Sequence, residues 1–425
     1  MSDRSYPDAM LRSMPAFMLS RAIPFLGIFL TFSTVAHRSP GDLAEFSYTL
    51  AIFAVITAIT SMSLGATGNL AAERGASMNA LFSSGLALCA AMTLLAVLLC
   101  VGVLVTSPHL PGLQKLSGSN FTALSLIYIA CIPFLILNTF LHLFHESSGR
   151  PAICSKIRTI CTLAGCGYLA ATAHFARPEQ FALLAMGYFL TSEGLATLCL
   201  VLLSRSRNLS FKPVFCKKTT AHMLSLGVPI ALGLAGQKVY FYLLNERLAV
   251  LGEGLVAQLA VFMIVIGVLM NPFLSLSQVH SLYVSKQPEQ KNAAYLSGLI
   301  GVTTVLGVLA GLLWWFDEAI FRLAGASVFD SDDGLYAVLM FFIGTCALQG
   351  LTLAHLRAMK QTLVPQVMVN LIMLLGLLPV IYHFSPESPR LTDFLYFQGS
   401  ATLMGVVVLQ VWVFAGKTWP TPKPV

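Results

Sequence analysis

The sequence predicts an all-α polytopic membrane protein with twelve transmembrane helices in two six-helix lobes. Three observations carry that expectation. Of the 425 residues, 56% are apolar and only 10% are Asp, Glu, Lys or Arg, against about 25% charged in an ordinary soluble domain. The apolar residues run together in long stretches almost free of charge, and about 20 such residues are needed to cross a bilayer. Short sequence echoes also recur between the first and second halves of the chain. The same composition excludes fibrous, disordered and small disulfide-stapled classes.

The spans are expected at 14–36, 43–70, 77–106, 121–143, 153–175, 180–203, 220–251, 257–284, 293–316, 335–356, 362–384 and 392–415. The first lacks a small-residue cleavage pattern and is followed by eleven more, so it reads as mature protein rather than a signal peptide. The third, fourth and eighth to eleventh contain no Asp, Glu, Lys or Arg, and the sixth contains only Glu193. The seventh is long enough to tilt or to project beyond the bilayer. Runs of this length are helices, because barrel strands would alternate over about ten residues.

Orientation follows from the 25 Lys and Arg residues. With the N-terminus inside, seventeen fall on inner segments and five, Arg38, Lys115, Arg177, Arg322 and Arg390, on outer loops. Arg21, Lys238 and Arg247 lie within helices. The positive-inside rule therefore places both termini in the cytoplasm of a plasma-membrane (inner-membrane) protein. Asp317, Glu318, Asp330, Asp332 and Asp333 gather in one outer loop. The net charge of +7 is thus a topology signal and not a nucleic-acid-binding face. Nine cysteines, mostly within apolar spans and without CxxC or metal spacing, argue against disulfides and structural zinc.

The halves echo each other at matching places. Met18-Leu-Ser-Arg-Ala-Ile-Pro24 opens the first span and Met223-Leu-Ser-Leu-Gly-Val-Pro229 the seventh. Leu43-Ala44-Glu45 corresponds to Val256-Ala257-Gln258, and Leu141-His142-Leu143 to Ala354-His355-Leu356. The expected organisation is an N-terminal lobe at 1–204, a basic cytoplasmic linker at 205–218 and a C-terminal lobe at 219–425. Six spans is an even number, so the halves are parallel repeats. In transporters built this way the substrate lies between the repeats and access alternates by rocking. Pro24 and Pro229 occupy matching positions, which favours a shared bend.

Ionisable groups inside spans are costly and mark ion or substrate pathways. Glu193, near the middle of the sixth span, reads either as a proton carrier or as a protonated acid bonded to a neighbour. Lys238, Tyr242 and Glu246 follow at four-residue steps on the seventh span and share a face; Gln237 lies beside them. Glu246 and Arg247 are sequence neighbours about 100° apart, so they are not a pair by position, and both could sit at the outer interface. Arg21 lies about two turns into the first span and can snorkel inward. His142 and His355 end equivalent spans and read as interfacial packing. No P-loop, GxSxG, HExxH or kinase pattern occurs, so no enzyme is expected.

Met223 to Gln237, the run Asp42 to Gly75, and Leu141 to Ile153 with its Gly149-Arg-Pro151 turn resemble the MATE (multidrug and toxic compound extrusion) family. That family belongs to the multidrug, oligosaccharidyl-lipid and polysaccharide exporter superfamily. The resemblance implies a two-lobed antiporter that exports amphipathic compounds against H⁺ or Na⁺, with no other cofactor. The acids common in the first span and early in the seventh span of such proteins fall here at Thr31 and Gln237, which puts ordinary cation coupling in doubt or moves it to Glu193 or Glu246. Arg21, Lys238 and Arg247 around a cavity would suit a partly anionic cargo such as a siderophore. The expected partners are a small-molecule substrate and the lipid bilayer, with the chain acting as a monomer. The alternative is a flippase for a lipid-linked oligosaccharide or cell-wall precursor. A third reading, an intramembrane transferase, lacks the large outer loop it would need.

Overall fold

The computed structural model describes residues 5–39, 42–73, 77–109, 119–251, 253–323, 334–384 and 390–414. Asp330, Asp332 and Asp333 of the acidic outer loop, and the basic residues Arg4, Arg74, Lys115, Lys417 and Lys423, lie outside the described residues. Each expected span is built from helix among the described residues, with turns interrupting the second and the eighth. Ten helices among the described residues are long and apolar enough to cross a membrane. The other two expected spans depart from that description for local reasons. Pro151–Phe175 carries Lys156 and Arg158 near its start. The eighth span is divided into Glu253–Leu269 and Asn271–Lys286.

That division has a counterpart. The second span is also two pieces, Leu43–Met62 and Thr67–Ala72, joined by a turn through Ser63 and Gly65. Both halves of the chain therefore break their second span, but not at matching positions: the offset between Leu43 and Val256 carries Ser63 to Leu276, whereas the break falls at Met270. In the eighth span the break precedes Pro272, at the start of its helix, where a missing N–H costs nothing. In the eleventh span a π-helical turn, Ile372–Leu377, separates Leu363–Leu371 from Leu378–His383. Pro379 follows at once; its ring and missing N–H forbid an α-helical bond to the carbonyl of Leu375.

The described chain forms two compact units, 19–231 and 1–18 with 232–425. The division by packing thus runs through the first and seventh helices, Tyr6–Arg38 and Lys217–Leu251, whereas lobes at 1–204 and 219–425 are a division by span number.

In the 19–231 unit, helix Ser119–Ser147 packs against the second, third and sixth spans. Phe82 on the third span is fully buried, with ring centroids 5.2 Å from Phe144 and 5.3 Å from Phe211. Phe211 belongs to the segment expected to be a linker. Ser83 Oγ donates to the Ser210 carbonyl and Val214 N–H to the Ser83 carbonyl, both at 3.3 Å, so this segment is laid along the third span. Nearby, Arg207 donates to His145 Nδ1 at 3.2 Å and to Ser148 at 2.5 Å. Because arginine only donates, the His145 proton sits on Nε2 and is given to Ser204 Oγ, 2.7 Å away.

The Gly149-Arg-Pro151 turn is now explicable. Gly149 has φ +97°, a conformation that L side chains adopt only at a cost. Arg150 N–H returns to the His145 carbonyl at 3.2 Å, the bond that closes a helix end around such a glycine. Pro151 then opens the next helix. Gly149→Ala is expected to cost about 1–2 kcal/mol, visible as a lower melting temperature in detergent; an unchanged melting temperature would contradict this account of the turn.

In the other unit, helix Leu335–Ala358 packs against Asn271–Lys286, Lys291–Leu323 and Leu391–Phe414. Buried Tyr240 donates its hydroxyl to Gln398 at 3.3 Å, and Phe262 meets Phe342 edge-on at 5.7 Å. Residues Tyr6 and Ala9 pack against Tyr283, Val284 and Ala294. Both units expose large aliphatic side chains at helical spacing, among them Leu94, Leu98 and Val105, and Ile300, Val308 and Leu312. Water-soluble surfaces rarely carry contiguous apolar area of this kind; hydrocarbon is the solvent that suits it. This is a multi-pass membrane protein.

Candidate functional site

Glu193 is the most deeply placed acid of the sixth span, and the structure surrounds it with donors. Arg158 Nη1 donates to both its oxygens, at 2.9 and 2.8 Å. Asn138 Nδ2 donates to Oε2. The three residues come from the fourth, fifth and sixth spans. Arg158 lies seven residues into its helix, about 10 Å along the axis. The sequence reading counts it as an inner flank, but its long side chain turns into the bundle instead.

A second acid lies beside the first pair. Glu146, buried near the end of the fourth span, accepts from Ser20 and faces both Arg21 and Arg158. His142, one turn earlier, places Nδ1 4.0 Å from a Glu146 oxygen. Both His142 Nε2 and Asn138 Oδ1 are buried without a hydrogen-bond partner among the described residues. The result is a network with two cations, Arg21 and Arg158, and two anions, Glu146 and Glu193, drawn from the first, fourth, fifth and sixth spans. Arg21 is half-buried and feels the charge of Glu146, and His142 is a buried member of the network, not an interfacial residue. The formal charges cancel, which lowers the cost of holding one buried and three half-buried ions among apolar helices.

Thr31 is fully buried, and its hydroxyl donates to the Gly27 carbonyl at 2.9 Å, so it is satisfied within its own helix. The seventh span carries a separate arrangement. Gln237, Lys238, Tyr242 and Glu246 are all exposed, with Tyr242 69% accessible, while Tyr240 faces the core. The expected polar stripe thus exists as one open face. Arg247 leaves it: its guanidinium donates to the Phe384 carbonyl at 3.1 Å and lies 5.8 Å from the centre of the Tyr382 ring. Within its own unit Arg21 feels the charge of Glu146, and Arg247 within the other unit is turned to the eleventh span.

Sequence reasoning missed Asn138, Glu146 and Arg158. A usable signal was present for Arg158, a cation two turns inside a helix that is otherwise apolar beyond it. Glu146 lay just past the end assigned to its span, and Asn138 carries no charge to draw attention.

No family model matches the sequence, and no curated protein matches it. Solved structures do. The chain is similar to a multidrug resistance MATE family transporter of the MOP superfamily in an outward-facing conformation, with TM-score 0.74 and 14% identity over 98% of each chain. It is similar to a MATE protein in complex with MaD5, with TM-score 0.77 and 12% identity over 97% of this chain and 96% of that one. It is also similar to a MOP superfamily transporter from Pyrococcus furiosus, with TM-score 0.75 and 14% identity over 98% of each chain; the reverse polarity of that protein's binding pocket is described as suggesting a different function. Across nearly its full length, the chain has the MATE-like, all-helical membrane fold.

Proposed function

We propose that this chain is a MATE-like secondary-active exporter of a small amphipathic compound, working by alternating access and driven by H⁺. The observation that carries the reading is the charge-balanced network of Arg21, Glu146, Arg158 and Glu193 inside a helical unit of MATE-like fold. A network spanning four helices is rearranged when one member changes charge. Protonation of Glu193 leaves Arg158 without its partner and two cations facing Glu146 alone. Asn138 fits both states: its amide N–H serves the carboxylate, and a half-turn of the amide would offer the unpartnered Oδ1 to a protonated carboxyl.

The same surroundings favour H⁺ over Na⁺. Sodium needs several free oxygen ligands, whereas Glu193 is occupied by donors, and a second cation would meet the Arg158 guanidinium. A proton adds to the carboxylate without a coordination shell. Solved MATE proteins in straight and bent conformations support a fold that changes shape.

Cargo is carried by the open face of the seventh span in this reading. Lys238 is its cation, with Gln237 and Tyr242 as polar and aromatic contacts, so a carboxylate-bearing metabolite such as a siderophore fits better than a cationic drug. The reversed pocket polarity described for the Pyrococcus furiosus protein supports such a departure on this fold. Lys238→Gln is expected to lower export of an anionic compound at least tenfold and leave a neutral one unchanged; equal export of the anion would remove Lys238 from the pathway. The Lys and Arg distribution supports an inner (plasma) membrane protein with cytoplasmic termini.

Mass spectrometry of medium, cytosol and lipid extracts, with and without the gene, tests the function. A soluble metabolite retained inside the deletion cells supports export and names the cargo. A lipid-linked sugar building up in the membrane fraction overturns it in favour of a flippase.

A further inference from the structure

The 1–18 with 232–425 unit holds a string of buried hydrogen-bonded rings that plays no part in the pathway above. The Tyr6 hydroxyl is 2.9 Å from His280 Nδ1, and His280 Nε2 is 3.0 Å from His355 Nδ1. Both histidines are fully buried. Tyr295 packs on His355, ring centroids 4.6 Å apart, with its hydroxyl 2.9 Å from that of Thr352. The sequence reading of His355 as interfacial packing is corrected by this burial and bonding.

Chemistry gives the string a direction. A phenol is the better donor and an imidazole nitrogen the better acceptor, so Tyr6 donates to His280 Nδ1. The bond at one ring nitrogen sets the proton on the other. His280 then donates from Nε2 to His355 Nδ1, and His355 carries its own proton on Nε2. That N–H is buried and has no partner among the described residues.

His355 lines a cavity of about 180 Å³ together with Lys291, Asn292, Tyr295, Gln361 and Trp412. Trp412 Nε1 donates to Gln361 Oε1 at 3.0 Å, which leaves the Gln361 amide NH₂ as donors. Lys291 adds an ammonium at the first turn of helix Lys291–Leu323. None of the described lining residues is an acid. The cavity lies at the ends of the ninth, tenth and twelfth spans that the Lys and Arg count assigns to the cytoplasm, the depth at which basic pockets meet lipid headgroups.

We infer that this cavity binds a phosphate-type oxyanion, held by Lys291 and the Gln361 amide, with the His355 Nε2–H in the cavity wall as a third donor once a small shift of that wall uncovers it. The Tyr6–His280–His355 string fixes the histidine as a donor, so the site selects an acceptor. The oxyanion is either free phosphate or the headgroup of an anionic phospholipid, and the test separates the two.

The full-length protein, purified in detergent, is titrated with inorganic phosphate at constant ionic strength, with phosphatidylglycerol, or with phosphatidylcholine, and its melting temperature is followed. Two variants are compared. Lys291→Gln removes the cation. Gln361→Glu keeps the acceptor for Trp412 but replaces the donors with a negative charge. Folding of each is judged from its melt in chloride alone. Stabilisation by inorganic phosphate, with apparent affinity at least tenfold weaker in both variants, establishes a free-anion site. Stabilisation by phosphatidylglycerol only, again lost in both, establishes a headgroup site. No shift with either ligand, or equal shifts in wild type and a folded variant, overturns the inference.

Discussion

Glu193→Gln is expected to lower proton-driven export at least tenfold while the protein still reaches the membrane. The variant keeps the shape of the side chain and its contact with Asn138, but it cannot change charge. Its stability should fall too, because Arg158 loses its partner; the two side chains keep 19% and 13% of their accessibility, so the cost should lie below the about 3–5 kcal/mol of breaking a fully buried ion pair. Arg158→Gln should cost a similar amount by stranding Glu193. The double variant, with neither charge, should recover much of the loss, since two amides can bond each other where two ions did. A double-mutant cycle on melting in detergent reads this coupling directly. Additive losses would mean that the two residues do not act as a pair. Restored stability without restored export would separate the structural role of the pair from its role in coupling.

Gly227→Val is expected to abolish folded protein. Gly227 lies in the seventh-span segment Met223 to Pro229, and a Cβ there would fall onto the backbone carbonyl of Ser63. Ser63 begins the turn that breaks the second span, so the obstacle is backbone at a fixed point and cannot rotate aside as a side chain would. Overpacking in a core typically costs about 1–3 kcal/mol, and collision with backbone should exceed that range. Even Gly227→Ala should lower the yield of monodisperse protein in size-exclusion chromatography, with the valine variant aggregating. Gly102→Ala is the control, because a Cβ there meets no atom within 4 Å. Equal behaviour of Gly227→Val and the control would remove the close approach from the account.

Much of the fold is legible because bilayer spans are written in composition. A run such as 77–106 has one reading, and the echo between Met18–Pro24 and Met223–Pro229 marks two related halves. The packing boundaries within the first and seventh helices are not legible, because nothing in a continuous apolar helix says which neighbours each turn will meet.

The polar network was half visible. Glu193 stands out as a lone acid in an apolar span, but its partner is 35 residues away on an adjacent helix, and Arg158 satisfies the positive-inside count so well that it draws no notice. Lys238 is visible for the opposite reason, since no flank excuses it. The His280–His355 string is invisible in sequence: two uncharged histidines 75 residues apart form a site only when the eighth and tenth spans pack together.

The central claim is that a proton, exchanged at the Glu193 network, drives export. It is tested most directly by following efflux of the compound retained in deletion cells from cells that carry the gene. A protonophore is set against removal of external Na⁺, in wild type and in Glu193→Gln. The account predicts that the protonophore stops wild-type efflux, that Na⁺ removal leaves it unchanged, and that Glu193→Gln lacks the protonophore-sensitive fraction. Efflux that persists in protonophore and fails without Na⁺, or that is undiminished in Glu193→Gln, would contradict it.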